Sequence, residues 1–89
     1  MVKRNRLEII KDILSIINSN QNSMKITPLI RKSNISSSNF KEYYLELLKK
    51  NFIVEKNFKE SKFVSLTHRG LKFLEKYRTI IDFIDEFEL

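Results

Sequence analysis

The sequence predicts a small, mostly α-helical domain with one β-hairpin. Apolar residues recur at helical spacing in three long segments, and capping residues precede those segments. Between residues 52 and 66, a stretch rich in β-branched and aromatic residues is broken by a polar tip. A chain of 89 residues makes one domain with a marginal core, so we expect dimerisation to add stability.

The first helix is predicted to begin after Asn5, which has Glu8 three residues later in a capping-box pattern. The polar run at residues 18–23 ends this helix, and residues 24–26 are expected to form a short strand that pairs with the later hairpin. The buried stripe of the helix is predicted to be Ile10, Ile13, Leu14 and Ile17.

A second, brief helix is predicted from Pro28 to about Ser33. Thr27 offers a capping hydroxyl, and Pro28 would then occupy the first helical position. Asn34 follows, and asparagine tolerates the left-handed conformation that a turn at a helix end requires. Ile35 is the apolar residue of this turn, so we expect it to be anchored in the core.

A third helix is predicted from Ser36 or Ser37, either of which can cap it, to about Lys50. Asn51 stands where a glycine commonly ends a helix. The buried stripe of this helix is predicted to be Phe40, Tyr44, Leu47 and Leu48.

Residues 52–58 and 62–66 are predicted strands, and residues 59–61 form the tip between them. Thr67 is predicted to cap a last helix that runs to about Glu88. The order of elements is therefore helix, short strand, helix, turn, helix, strand, strand, helix.

This order is the winged helix-turn-helix arrangement, and residues 27–53 resemble the winged-helix regulators of archaea and bacteria. The patterns of that group include LxxLxxxGLI after the helix-turn-helix and LTxxG at the end of the wing. The chain has Tyr44 and Leu47, then KKNFI at 49–53, and LTHRG at 66–70. Asn51 replaces the usual glycine and Asn34 occupies the turn between the helices; both retain access to the left-handed conformation.

The whole chain is similar to a narrower group of small archaeal DNA-binding proteins. In that group one C-terminal helix follows the winged helix, and the proteins dimerise through it as an antiparallel coiled coil. The resemblance implies a winged helix-turn-helix DNA-binding domain at residues 1–66 and a dimerisation helix at 67–89. It also implies a homodimer on double-stranded DNA, as a transcriptional regulator or a chromatin-associated architectural protein.

The charge distribution agrees with a nucleic-acid partner. Residues 1–66 carry 13 Lys or Arg and 6 Asp or Glu, a balance of +7, whereas residues 67–89 carry 4 and 5, a balance of −1. A basic body with an acidic tail indicates two surfaces with different partners. Solubility alone remains an alternative explanation for the positive charge.

In this interpretation the third helix docks in the major groove, where a helix fits and base edges are displayed. Its first turns, the end of the second helix and the wing supply the predicted contacts. We expect phosphate contacts to dominate, because no arginine on the third helix is available to grip guanine. The predicted DNA-binding residues are Arg31, Lys32, Ser37, Ser38, Asn39, Lys41, Lys56, Asn57, Lys59 and Lys62.

Four alternatives stay open at this point. The serines can serve only as caps and turn formers, and the wing lysines can be a solvated hairpin. At the N-terminus, Lys3, Arg4 and Arg6 can form an arm on the DNA backbone or a loose basic end. Finally, Glu42 and Glu46 weaken the positive face of the third helix, which keeps a protein-interaction module as the rival function.

The last helix carries more apolar residues than its own domain can cover. Its first two turns can pack on the core, but apolar side chains continue beyond them. We expect these to form the homodimer interface; the alternative is that the helix folds back entirely onto the first helix. The predicted interface residues are Tyr77, Ile80, Ile81, Ile84 and Phe87.

Several function classes have little support in the sequence. The chain has no cysteine and a single histidine, His68, which we expect at the surface beside a helix cap. Acidic pairs such as Asp85 and Glu86 have no partner base, and no phosphate-cradling loop is present. We therefore expect no enzyme activity, cofactor, small-molecule ligand or membrane span, and a cytoplasmic, nucleoid-associated location.

Overall fold

The structure, a computed structural model, describes residues 4–89. These residues form four helices and a three-stranded antiparallel sheet whose strand order is β1-β3-β2. The predicted fold class is confirmed. The elements are α1 (Arg6–Ser19), β1 (Met24–Lys25), α2 (Ile26–Ser33), α3 (Ser37–Lys49), β2 (Ile53–Phe58), β3 (Ser61–Leu66) and α4 (His68–Glu86).

Three predicted helix caps are confirmed by their hydrogen bonds. The side chain of Asn5 accepts from the backbone N–H of Glu8, and that of Thr67 accepts from the N–H of Gly70. Ser36, rather than Ser37, caps α3 by accepting from the N–H of Asn39 at 3.2 Å. Each cap satisfies a backbone donor that the first helical turn leaves without a partner.

Both asparagines predicted at the helix ends adopt the left-handed conformation. Asn34 has φ 58° in the turn between α2 and α3, and Asn51 has φ 62° after α3. These residues let the chain reverse direction without a glycine. The turn between α2 and α3 therefore holds the start of α3 close to the end of α2.

The predicted start of α2 is wrong. The helix begins at Ile26, not after Thr27, and its N-cap is Lys25, which makes no side-chain cap hydrogen bond. Lys25 pairs with Phe63 in β3, so the backbone turns directly from strand to helix. Pro28 is tolerated because the N–H groups of a first helical turn lack intrahelical partners in any case.

The hairpin is tighter than predicted. Its turn has two residues, Lys59 and Glu60, with φ of 48° and 64°, and Phe58 pairs with Ser61. Positive φ at both central positions matches the right-handed twist of the flanking strands, which is why two-residue hairpins adopt it. Ser61 therefore belongs to β3 instead of the tip.

The core lies between α1, α2, α3 and the inner face of the sheet. The predicted stripe of α1 is fully buried, and Leu48 of α3 is only half-buried. Phe40 stacks against Tyr44, with 5.7 Å between ring centroids. The core residues are Ile10, Ile13, Leu14, Ile17, Met24, Leu29, Phe40, Tyr44, Leu47, Ile53, Val64 and Leu66.

The first turns of α4 close the core, as expected. Phe73 and Leu74 pack against it, and Gly70 is buried beside the backbone of Phe52. A Cβ at residue 70 would lie 2.2 Å from the carbonyl oxygen of Phe52. Only glycine permits this approach, and that is the structural reason for the last residue of the LTHRG segment.

Candidate nucleic-acid interface

The outer face of α3 is set by its helical periodicity. Phe40, Tyr44 and Leu47 are buried, so the residues opposite them point into solvent. The predicted contact residues Ser37, Ser38, Asn39 and Lys41 are all exposed in the first two turns. Ser38 lies on the outermost line of the helix, with Ser37 and Lys41 on one side of it and Asn39 on the other.

The same line contains three residues that were not predicted as contacts from the sequence. Ser38, Glu42, Leu45 and Lys49 follow one another at spacings of four and three residues. Leu45 is 54% exposed in the middle of this line. In a major groove, a leucine can contact a thymine methyl group and a glutamate can accept from the amino group of cytosine. The buried stripe alone could have identified both residues.

The end of α2 presents Arg31 and Lys32, both exposed, beside the turn that leads into α3. Arg4 fixes this turn from the other side. Its guanidinium donates to Asp12 at 2.8 Å and to the carbonyl oxygen of Ser33 at 3.0 Å. Arg4 donates to carbonyl oxygens that the end of α2 leaves without helical partners. It therefore stabilises the helix-turn-helix and does not extend away from it.

The structure contradicts a loose N-terminal arm for Arg4 and Arg6. Arg6 pairs with Glu46 on α3, which also bonds Lys50 at 3.0 Å. Hydrogen bonds from Lys50 and then Arg6 lower the pKa of Glu46 below its ordinary value. Lys3 lies outside the described residues. The two arginines therefore serve the fold, and Glu46 is neutralised instead of opposing a bound anion.

The four predicted contact residues of the wing, β2 and β3 with their turn, do not share one face. Asn57 pairs with Lys62 on the side of the sheet that faces the core, whereas Lys56 pairs with Phe63 on the other side. Lys59 occupies the turn itself. All four residues are exposed. Because they lie on both faces of the hairpin, one partner can contact them together only from the edge or the tip.

A partly buried hydrogen bond joins α3 to the wing. The hydroxyl of Tyr44 donates to Glu55 of β2, and burial together with this carboxylate raises the pKa of Tyr44. Lys62 approaches the other oxygen of Glu55 at 3.7 Å. This contact compensates part of the Lys62 charge, so Lys62 is the weakest candidate of the four for a phosphate contact.

Some cations in the described part of the domain form ion pairs with its own carboxylates, and others do not. In residues 4–89 these ion pairs engage Asp12, Glu46 and Glu55, and the cations they use are Arg4, Arg6, Lys11, Lys50 and Lys62. Within the described chain, the remaining predicted contact cations make no ion pair and are exposed. They are Arg31, Lys32, Lys41, Lys56 and Lys59.

The second half of α4 has an uncovered apolar face. Tyr77 is half-buried, with its ring 5.9 Å from the Nζ of Lys11 on α1, but every residue from 78 to 89 is exposed. The helix does not fold back entirely onto α1, so that alternative is wrong. Phe83 and Phe87 contact each other, with ring centroids 4.8 Å apart. The exposed large side chains are Ile80, Ile81, Phe83, Ile84, Phe87 and Leu89.

Residues 4–89 show neither a metal-binding cluster nor a membrane-spanning helix. No cluster of three or more His, Cys, Asp or Glu side chains in this range could hold a metal ion. None of the helices described there combines the length and the apolar character that crossing a membrane requires. His68 is exposed at the first position of α4, as expected.

Comparison with known families decides the classification. The family model described as "Winged helix-turn-helix" matches residues 3–85, which is nearly the whole chain. The chain belongs to this family. No curated protein sequence matches it significantly.

Solved structures of winged-helix proteins have the same fold. Sso10a-2, a DNA-binding protein from Sulfolobus solfataricus, is similar with a TM-score of 0.75 and 21% identity over 96% of this chain and 86% of that one. F93 from STIV, a winged-helix DNA-binding protein, has a TM-score of 0.74 and 19% identity over 89% and 91%. F-93 of SSV1 has a TM-score of 0.68 and 19% identity over 96% and 99%.

In the terms of the winged helix-turn-helix family, α2 and α3 are the helix-turn-helix, α3 is the recognition helix, and β2 and β3 are the wing. The matched range includes most of α4, so this helix is part of the pattern that the family model recognises. The recognition helix and wing tip carry the exposed polar groups, and the far half of α4 carries the exposed apolar groups.

Proposed function

We propose that this winged helix-turn-helix protein is a non-enzymatic, nucleoid-associated protein that binds duplex DNA as a homodimer. The recognition helix occupies the major groove through Ser37, Ser38, Asn39 and Lys41. Arg31 and Lys32 hold the phosphate backbone before it, and the wing contacts the neighbouring backbone through Lys56, Asn57, Lys59 and, more weakly, Lys62. Residues 1–66 supply the DNA-binding domain and residues 67–89 the dimerisation helix.

The observation that carries this proposal is that most predicted contact cations are exposed and make no ion pair within the described part of the domain. Ion pairs within the domain engage the acidic groups Asp12, Glu46 and Glu55, while five of the predicted contact cations at the helix-turn-helix and the wing are exposed and make no ion pair among the described residues. An exposed cluster of one sign costs stability through self-repulsion unless an anion compensates it. Two of the similar structures, Sso10a-2 and F93, are themselves described as DNA-binding proteins.

Homodimerisation through α4 is supported by its exposed apolar face. Ile80 and Phe87 are among the most exposed large apolar side chains of the protein, at 57% and 58%. Tyr77, Ile81 and Ile84 continue the line of α4 that begins on the core at Phe73. A second copy of the helix, packed antiparallel, would remove this face from water and place two DNA-binding domains on one duplex.

A salt-titrated gel shift tests DNA binding. If all five unpaired cations reach phosphates, the logarithm of the binding constant falls with the logarithm of salt concentration with a slope of about −4.5 for each protomer. Between 50 and 200 mM salt the affinity then falls roughly 500-fold for a protomer and more for a dimer. An affinity that does not change with salt would refute the phosphate-contact model.

Matched variants locate the interface. Lys41→Gln and Lys56→Gln should each reduce the magnitude of the slope by about 0.9 for each protomer. Lys76→Gln, which removes an exposed cation from α4, is the control and should leave the slope unchanged. Equal effects of all three substitutions would indicate nonspecific attraction to the whole surface.

Sedimentation tests the dimer. The double variant Ile81→Glu, Ile84→Glu places two carboxylates on the apolar face of α4 and should sediment as a monomer. The control, Thr79→Glu, adds a carboxylate to an exposed position of the same helix and should remain dimeric. A double variant that stays dimeric refutes this interface.

A protein-interaction module is the second candidate, because Glu42 and Leu45 occupy the centre of the outer face of α3. An acidic and an apolar side chain suit a protein partner as well as base edges. Failure of the unmodified protein to shift any duplex at low salt would favour this candidate. If DNA binds, competition between random and selected duplexes separates a sequence-specific regulator from an architectural protein.

A further inference from the structure

Phe58 lies at the end of β2, directly before the two-residue turn of the wing, and its side chain is 63% exposed. It follows Val54 and Lys56 on the face of the hairpin that points away from the core. Tertiary packing therefore does not require a large aromatic residue here. Single exposed apolar side chains are common on protein surfaces, so it is the position of this ring at the tip of the wing that makes it a candidate contact.

One lysine contacts this ring, and a second lies on the same face of its strand. The Nζ of Lys59 lies 5.5 Å from the ring centroid of Phe58, and Lys56 projects from the same face of β2 two residues earlier. Glu60, the second turn residue, is the acidic group of the tip. An apolar ring with lysines beside it suits a partner that offers phosphates at its rim and an apolar interior between them.

The shape of the hairpin limits how such a partner is reached. Two paired strands are about 4.8 Å apart before their side chains are counted, and the minor groove of B-DNA is only about 6 Å wide. The body of the wing therefore cannot enter the minor groove. A single side chain at its tip can, and Phe58 is the large apolar side chain there.

We propose that Phe58 is an apolar wedge that enters the DNA minor groove and partly unstacks a base step, kinking the duplex. This inference rests on the proposed DNA binding. Apolar side chains inserted in this way kink DNA by about 20–90° towards the major groove. Lys56 and Lys59 hold the phosphates on either side while the ring leaves water. The wing is then a device that deforms DNA, in addition to an electrostatic contact.

The wedge has a signature that phosphate contacts lack. Removing the ring removes no charge, so Phe58→Ala should weaken binding by the same factor at every salt concentration and leave the salt slope unchanged. Fully burying a phenylalanine corresponds to roughly 10- to 100-fold in affinity, and unstacking the bases offsets part of that gain. The expected loss is therefore about tenfold.

The affinity experiment is a fluorescence titration of a 25-base-pair duplex with Phe58→Ala at several salt concentrations. Val54→Ala shortens another exposed apolar side chain on the same face of β2, away from the tip, and should bind as the unmodified protein does. Glu60→Gln removes the acidic group of the tip and should strengthen binding without affecting the kink. Phe58 is exposed, so circular dichroism should show all three variants folded.

The kink is measured by energy transfer between dyes at the two ends of the duplex, with 2-aminopurine at a central pyrimidine–purine step reporting unstacking. The unmodified protein should shorten the end-to-end distance and raise the 2-aminopurine fluorescence. Phe58→Leu should preserve both signals in part, and Phe58→Ala should abolish both. Unchanged affinity and unchanged kinking in Phe58→Ala would overturn the proposal.

The outcomes separate this inference from the proposed function. Binding by the unmodified protein to a duplex that stays straight and stacked refutes the wedge and leaves DNA binding intact. Absence of any binding at low salt refutes both. If Phe58→Ala impairs capture of a protein partner but not DNA binding, the exposed ring belongs to a protein contact, and the wedge is refuted.

Discussion

Replacing Gly70 by alanine tests the close packing of α4 against the backbone of Phe52. The new Cβ would lie 2.2 Å from the carbonyl oxygen of Phe52 and 3.2 Å from its carbonyl carbon. That oxygen already accepts the backbone N–H of Thr67 at 3.1 Å, and the hydroxyl of Thr67 donates to the carbonyl of Asn51 at 2.6 Å. The methyl group can be accommodated only if α4 moves away from these bonds.

The magnitude follows from two opposed effects. Overpacking costs typically 1–3 kcal/mol, and a clash with a backbone atom belongs at the upper end, about 3 kcal/mol. Alanine is a better helix former than glycine by about 1 kcal/mol, which offsets part of the strain. The net loss should be about 2 kcal/mol, equivalent to roughly 8–16 °C in the melting temperature of a domain of this size.

Urea unfolding followed by circular dichroism measures this loss, at one fixed protein concentration because dimerisation would stabilise the fold by mass action. Thr79→Ala, on an exposed position of the same helix, is the control and should change stability by less than about 0.5 kcal/mol. A Gly70→Ala variant as stable as the unmodified protein would refute the close packing of α4 on Phe52.

Three further predictions concern stability. Ser36→Ala removes the cap of Asn39 and should cost about 1 kcal/mol in urea unfolding, whereas Ser36→Asp should retain most of it. Tyr44→Phe removes the hydroxyl that donates to the partly exposed Glu55 and should cost about 1 kcal/mol; an unchanged midpoint would show that water replaces the hydroxyl. Burial would raise the pKa of Asp12, but hydrogen bonds from lysine and arginine outweigh it and lower that pKa. The stability that Asp12→Asn removes at neutral pH should therefore vanish as the pH falls through the lowered pKa, below about 3.8, and a difference that persists at pH 2 would contradict this.

Local signals in the sequence were sufficient for most of the fold. Asn5, Ser36 and Thr67 act within three residues of their own positions, so their caps could be predicted. Asn34 and Asn51 were likewise predictable, because asparagine itself tolerates the left-handed backbone conformation that both adopt. The start of α2 was missed because pairing of β1 with β3, a contact across some 40 residues, decides where the helix begins.

The candidate site was less predictable, because burial and pairing decide which side chains remain free. Arg4 and Arg6 reach partners 29 and 40 residues away, and no local pattern indicates that these arginines are engaged. Leu45 is the exception, because it lies opposite the predicted buried stripe of α3 and helical periodicity alone could have placed it on the outer face. The exposed ring of Phe58 depended on the register of the hairpin.

The bond between Tyr44 and Glu55 has a consequence for how a duplex is read. Because it locks the recognition helix to the wing within the fold, the separation of the two elements is set before any ligand arrives. The entropy of ordering them is lost during folding, not during association. Because the recognition helix and the wing are held at a fixed separation, the duplex must adjust its groove spacing to the protein. Sequences that deform easily would then be preferred at base pairs that no side chain touches.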